Sequence, residues 1–338
     1  MHSIKDVAKE AGVSIATVSH VINGTRYVSP DLTEKVHQAI SKLNYRPHAI
    51  ARSLRKNKTL TIGLVIPDNS NPFFSEILRG AEDSAFNYGY SVIVGNSDSD
   101  PQKELAYFKS LSSGKVDGLI FVDAALPDEY VRTAMSAQTP VIVVDRNLSE
   151  KAVDGIFLDN FRGGLEATEY LIQIGHRRIG CISGPSSIIP NMERVRGYRS
   201  ALESYGIPVD DELIYEGDFQ VDGGTRGALF LMNKPQPPSA IFCCNDMMAI
   251  GALQAFRQHG IRVPEDISLV GFDDIPQAAY AEPSLTTVAQ PKYEIGQIAV
   301  DLLIQRLKGL ASIEPQTILL QPALIIRSSS AMKSNPDI

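Results

Sequence analysis

No stretch of the 338 residues is long and apolar enough to span a bilayer, because Asp, Pro or Gly interrupts every candidate within a few residues. The opening Met1-His2-Ser3-Ile4-Lys5-Asp6 has no apolar signal core, which argues against export and for a cytoplasmic protein. Cysteine is scarce. Cys181, Cys243 and Cys244 are the only three, two are adjacent, and none falls at metal-ligand spacing. They read as reduced, buried small hydrophobes, so neither a disulfide framework nor a metal site is expected. Also missing are a nucleophile elbow, a phosphate-binding loop and a metal triad. Ser183-Gly184-Pro185 reads as a turn at a strand end rather than a nucleophile, so neither an enzyme nor a cofactor is expected. Residues 330–338 carry no leucine heptad of the kind that builds a coiled-coil tetramer.

What is present has the size of two or three domains. Hydrophobic residues make up 43% and charged residues 21%, ordinary for a globular chain. The net charge of −7 is unevenly spread: residues 1–58 sum to +6 and the remainder to −13. A small basic head on a large acidic body fits a phosphate-binding module joined to a sensor.

The order of residues in the head is informative. Ile4, Val7, Ala8 and Ala11 share one helical face, Gly12 ends that helix, and Ser14 caps the next. From Ile15 to Asn23, Val18, Val21 and Ile22 face inward, leaving Ile15, Ala16, Thr17, Ser19 and His20 exposed. Two short helices across a tight glycine turn form a helix-turn-helix, whose second helix can enter a major groove. A third helix is expected over 31–43, capped by Ser29 or Asp31, with Leu32, Val36, Ala39, Ile40 and Leu43 inward.

The strings Ile4-Lys5-Asp6-Val7-Ala8, Ala11-Gly12-Val13-Ser14, Thr17-Val18-Ser19-His20-Val21-Ile22-Asn23 and Leu43-Asn44-Tyr45-Arg46-Pro47 resemble the head of the LacI family, in particular its ribose- and purine-responsive members. That resemblance implies a homodimer on a pseudo-palindromic double-stranded operator. It places Ile15, Ala16 and His20 against base edges, the first two limited to apolar contact and His20 able to hydrogen-bond a purine. Ser14, Thr17, Ser19, Asn23, Arg26 and Tyr45 complete the DNA-contacting set, mostly through phosphates. Pro47 opens a hinge in which 49–54 is too short a helix to stand alone in water, so it is expected to order on DNA. The family places a leucine wedge in the minor groove, here Leu54, flanked by Arg52 and Arg55.

From Thr61 onward, buried-strand candidates at 62–66, 91–94, 118–122, 141–144, 178–182, 240–243 and 268–270 alternate with amphipathic helices. The pattern predicts an α/β body of two doubly wound parallel-sheet lobes, with a break near 159–164. It is similar to periplasmic sugar-binding proteins, in which ligand sits between lobes at the strand ends. The resulting domains are 1–46 for the all-α helix-turn-helix head and 47–59 for the hinge. The first lobe takes 60–160 and 291–320, the second 161–290 and 321–338. The helix after Asn71-Pro72 shows Phe74, Ile77, Leu78, Ala81 and Ala85 as an apolar stripe, suited to a core or to a dimer face.

Carried over position by position, the resemblance assigns Asn71, Asp145, Arg146, Arg196, Asn245, Asp273 and Gln290 to ligand hydroxyls and Phe73, Phe74 and Phe219 to the ring. Sugar hydroxyls donate and accept, which suits paired Asp, Arg, Asn and Gln, and the C–H faces suit aromatic planes. A free pentose such as ribose is the implied small-molecule effector, with release from DNA as its effect. Purine repressors carry an aromatic residue where Arg146 stands, and catabolite-control regulators an arginine about where Asp301 stands. A purine-responsive repressor and a regulator using a protein corepressor are the remaining readings.

Overall fold

A computed structural model describes residues 2–45, 58–122, 139–145, 153–312 and 314–333. The chain divides into two compact units, Met1–Thr59 and Leu60–Ile338.

In the first unit, Ser3 precedes α1 (Ile4–Ala11) and its backbone N–H donates to the Asp6 carboxylate at 2.7 Å, which fixes the helix start. Gly12 adopts φ 65°, a left-handed C-cap that costs a residue without a Cβ little. Ser14 then caps α2 (Ile15–Asn23) by accepting the Thr17 N–H at 3.0 Å, and α3 (Pro30–Lys42) follows with Pro at its first position. Val7, Ala8, Val18, Val36 and Ala39 form the core, with Ile22, Leu43 and Tyr45 packed on it. Leu32, expected inward, lies 36% exposed, because the α3 residues that pack on α1 and α2 are Val36 and Ala39. The hinge expected at 47–59 falls almost wholly outside the described residues.

The second unit holds two six-stranded sheets. The first comprises β1 (Thr61–Ile66), β2 (Ser91–Asn96), β3 (Gly118–Val122), β4 (Val141–Val144), β5 (Asp154–Leu158) and β11 (Thr317–Leu320), ordered β11-β5-β4-β3-β1-β2 and parallel throughout. Its central strands β1, β3 and β4 are apolar on both faces because both are covered. Ile62, Leu64 and Ile66 of β1 join one core while Val65 joins another, the two-residue alternation of a pleated strand. On one face α4 (Pro72–Asn87) packs against α11 (Lys292–Leu307), and α5 (Pro101–Ser112) covers the other. Phe74, Ile77, Ala81 and Ala85 are buried in this way, so the stripe on α4 is a core face.

The second sheet comprises β6 (Ile179–Ser183), β7 (Ile214–Glu216), β8 (Ala240–Cys243), β9 (Ser268–Asp273), β10 (Thr286–Ala289) and β12 (Ala323–Ile325), ordered β12-β10-β9-β8-β6-β7. It is parallel except for β12, which runs antiparallel at the edge. Phe272 of β9 meets Gly163 of α6 (Asn160–Gln173), while its neighbour Gly271 meets Asp246 of α9 (Asp246–Gln258). Helices therefore lie on both faces: α6 pairs with α7 (Ile189–Ser204), and α9 pairs with α8 (Val221–Met232). A short α10 (Pro276–Tyr280) follows β9. The chain passes between sheets after β5, after β10 and after β11.

The break expected near 159–164 is the start of α6, capped by the Asp159 carboxylate, which accepts the Arg162 N–H at 3.0 Å. Its glycines serve packing. A Cβ on Gly164 would lie 2.2 Å from the backbone oxygen of Arg194 on α7, so the two helices cross at backbone contact. His176, at the foot of this lobe, is buried with Nδ1 2.9 Å from Ser239 Oγ and Nε2 3.2 Å from the Ala331 carbonyl oxygen, which ties the tail to the sheet. Cys181 and Cys244 are buried free thiols with sulfurs 4.0 Å apart. Gly164→Ala is expected to destabilise the protein by ~1–3 kcal/mol through overpacking, read as a lowered urea midpoint.

Candidate functional site

The carboxyl ends of both sheets' strands converge on one cavity of about 360 Å³. That lies toward the lower end of the ~300–1,000 Å³ typical of small-molecule sites. The first lobe supplies Asn71, Phe73, Phe74 and Asp145, and the second supplies Phe219, Asn245 and Asp273. Asn71 caps α4 through the Phe73 N–H at 3.0 Å, which turns Phe73 and Phe74 toward the cavity as an edge-to-face pair, centroids 5.0 Å apart. Phe219 sits at φ 64°, and its ring fills the space left by Gly184, where a Cβ would come within 2.3 Å. Asn245 caps α9 through the Met248 N–H and donates to the Phe219 carbonyl at 2.9 Å, so it holds the aromatic in place. Asp98, Ser99, Asp145, Phe219 and Asp273 all have positive φ between 50° and 111°, backbone strain gathered at the cavity wall.

Arg196 is not in the cavity. Its guanidinium points outward, pairs with Glu193 at 2.7 Å and lies 64% exposed. The cavity arginine is Arg194, two positions earlier on α7 and therefore about 200° around the helix. Gly197, Tyr198 and Ala201, spaced three, four and seven residues on, share the buried face with it. Arg194 donates to Asn160 Oδ1 at 2.8 Å and to the Cys244 carbonyl at 2.6 Å, and reaches Asp273 Oδ1 at 3.5 Å. Its guanidinium carbon lies 3.8 Å from the Phe272 ring centroid.

Gln290 stands one residue behind the wall, donating to Asp273 Oδ1 at 2.6 Å, and its buried Oε1 has no protein partner. Burial pushes the Asp273 carboxyl up to about 6, against the pull of Arg194, Lys292 and Gln290, and the Asp145 charge raises it further. Burial also raises Asp145, opposed by the Leu158 N–H, donated at 2.7 Å, and by Arg194. Asp246 stays out of the cavity, accepting Thr287 Oγ1 at 2.6 Å and the Ile275 N–H at 2.9 Å to hold the turn after Asp273. Arg146 lies outside the described residues.

Sequence reasoning missed Asp68, Asp98, Ser99, Asp218 and Gln220, which also line the cavity. Asp68 and Asp98 follow β1 and β2, and position at a strand's carboxyl end was the signal available. Gln220 Nε2 donates to Asp68 Oδ2 across the cleft at 3.2 Å, joining the lobes at the solvent side. Against the burial of Asp68, hydrogen bonds from Ser70 and Gln220 hold its carboxyl below the usual range.

In the first unit, α2 presents Ile15, 40% exposed, and Ala16, with Thr17, Ser19 and His20 half-buried beside them. The Ser14 hydroxyl is occupied by the Thr17 cap, Asn23 donates to the Ser19 carbonyl at 2.8 Å, and Arg26 is exposed. Tyr45 packs against the core. Arg52, Leu54 and Arg55 lie outside the described residues.

A small three-helix unit and a two-sheet body with its cavity at the strand ends also match two family descriptions. Residues 3–48 match bacterial regulatory proteins of the lacI family, and residues 59–324 match periplasmic binding proteins and the sugar binding domain of the LacI family. The chain belongs to the LacI family. As a LacI-family chain it is 41% identical to the ribose operon repressor of Escherichia coli (strain K12) over 98% of its length and 100% of the relative's. It is 38% identical to the HTH-type transcriptional repressor PurR of Photobacterium profundum, over 97% of its length and 98% of that protein. The lac repressor dimer bound to operator and the anti-inducer ONPF superposes with a TM-score of 0.86 at 30% identity, covering 98% of this chain and 99% of that one. The LacI family is one of transcriptional regulators, and among the described residues no helix is long and apolar enough to cross a membrane.

Two expectations follow for the cavity. Calorimetric affinity for the small-molecule effector should drop ~10–100-fold in Arg194→Lys, the loss of a charged hydrogen bond, and stay within about twofold in Arg196→Ala. Affinity should also fall as pH drops through about 6, because protonated Asp273 no longer accepts two donors, and Asp273→Asn should flatten that dependence. The sign for stability is opposite: the folded state holds this proton more tightly than the unfolded chain, so the ligand-free protein gains stability from Asp273 as pH falls below about 6.

Proposed function

We propose that this chain is a cytoplasmic, homodimeric transcriptional repressor of a sugar-utilisation operon, released from a pseudo-palindromic operator when a free pentose, D-ribose in the first instance, fills the cavity. The sugar reading rests chiefly on a cavity wall in which the carboxylates Asp145 and Asp273, the Arg194 guanidinium and the amide of Asn71 stand beside aromatic rings. A sugar hydroxyl that donates to either carboxylate also accepts from Arg194 or Asn71. The aromatic edges of Phe73, Phe74 and Phe219 match the apolar face of a sugar ring. Among the described lining residues Arg194 is the sole cation against Asp68, Asp98, Asp145, Asp218 and Asp273, which disfavours a phosphorylated ligand. The ribose operon repressor relative supports the same assignment.

Asp145 and Asp273 face each other from different lobes, and their like charges oppose closure until a ligand donates hydrogen bonds to both. Closure would then change the spacing of paired first lobes and, with it, whether the hinge at 47–59 can fold on DNA. A ligand needs only a few kcal/mol of preference for one state to change occupancy. The PurR relative keeps a purine as the competing effector, since the same aromatics can stack a nucleobase.

A gel-shift titration of the full-length protein with D-ribose should release the operator. Tighter binding would reverse the sign, and a thermal-shift response to purine bases instead of pentoses would replace the ligand. Gln220→Ala, which removes the cross-lobe bond to Asp68, should speed ribose release about three- to tenfold with little change in the association rate, as read by stopped-flow fluorescence.

A further inference from the structure

The exposed face of α2 carries one imidazole, that of His20, and its partner comes from outside the helix. Gly24 caps α2 in the left-handed conformation, φ 61°, and reverses the chain. Thr25 is thereby returned beside the last helical turn, and its Oγ1 lies 2.9 Å from His20 Nδ1. The other polar groups of that turn are engaged with one another: Asn23 Nδ2 donates to the Ser19 carbonyl at 2.8 Å and to Ser19 Oγ at 3.3 Å.

We propose that Thr25 is a positioning residue for base recognition, donating its hydroxyl hydrogen to His20 Nδ1 and so leaving the proton on Nε2, directed at a purine edge. The proposal rests on the reading that His20 faces bases. A neutral imidazole donates through one nitrogen and accepts through the other, and the bond made by one nitrogen sets the role of its partner. The ring torsion is broad and roughly two-fold, and the neutral ring has two tautomers, so an unheld His20 presents Nε2 or a C–H, and Nε2 as donor or acceptor in turn. Such a ring discriminates poorly between guanine, which shows the major groove two acceptors, and cytosine, which shows it a donor. A hydroxyl that donates to Nδ1 removes both freedoms. It holds the ring plane, and it makes Nε2 a donor matched to guanine N7 or O6. Gly24 is part of the device, since its backbone conformation carries Thr25 to the ring.

The test uses full-length protein and a duplex selected by it from a randomised pool, with every single base-pair variant of that duplex measured against wild type, His20→Ala, Thr25→Val and Thr25→Ser. His20→Ala should flatten the preference at one position of each half-site. Thr25→Val, similar in shape but without the hydroxyl, should lower discrimination at that same position by about three- to tenfold, and Thr25→Ser should restore it. The dependence of binding on salt should not differ among the four proteins, because phosphate contacts are untouched. Nitrogen NMR of the His20 ring should show the Nε2–H tautomer in wild type and Thr25→Ser and an averaged signal in Thr25→Val, a signature that simple loss of packing would not produce; the Nδ1–H tautomer in wild type would overturn the proposal. If Thr25→Val keeps the wild-type preference where His20→Ala loses it, Thr25 has no such role. If His20→Ala flattens no position, the histidine itself does not read bases and the proposal fails at its premise.

Discussion

A guanidinium enclosed between the ends of two β-strands has to find a partner in every direction, and the cavity of this protein is arranged around that requirement. Arg194 takes Asn160 from the start of α6, the Cys244 carbonyl from the end of β8, Asp273 from the end of β9, and the face of Phe272. The desolvation of such a charge costs several kcal/mol and is offset only when partners and geometry are good. Asp273 in turn depends on Arg194, Gln290 and Lys292, since the same burial has already raised its carboxyl to about 6. The close crossing of α6 and α7 at Gly164 and Gly197 is what lets α7 bring Arg194 inward at all.

Around this centre the body behaves as two halves with a shared wall. Each sheet ends at the cleft, and residues at these ends accept unfavourable backbone angles: Asp145 at φ 50°, Phe219 at φ 64° and Asp273 at φ 111°. Opposed carboxylates on the two lobes resist closing, and the Asp68–Gln220 bond favours it. In the DNA-reading unit the same economy appears on a smaller scale, where a glycine cap sets a hydroxyl against an imidazole.

Much of the architecture was legible in the chain. Ser14, Gly12 and the three-and-four spacing of Val18, Val21 and Ile22 mark the head helices, because caps and apolar stripes are local features. The central strands β1, β3, β4, β6 and β8 were legible because each is an apolar run covered on both faces. The edge strands β7, β11 and β12 were not, since they are half-exposed and three or four residues long. β5 opens with Asp154, whose charge disguises a buried strand and is matched by Arg306, 152 positions away.

The residues of the cavity follow the same division. By itself the sequence determined the helix-turn-helix and the two-lobed class of the body, because caps, apolar stripes and strand runs are set by neighbours along the chain, whereas Asn71, Phe73, Phe74, Asp145, Phe219, Asn245 and Asp273, which line the cavity, were assigned through the family resemblance. Tertiary structure alone decided that Arg194 rather than Arg196 enters the cavity, that Gln290 acts from behind Asp273, and that Asp68 meets Gln220 across the cleft. Those choices depend on the rotation of a helix against its partner and on the approach of segments more than a hundred residues apart, which no local spacing encodes.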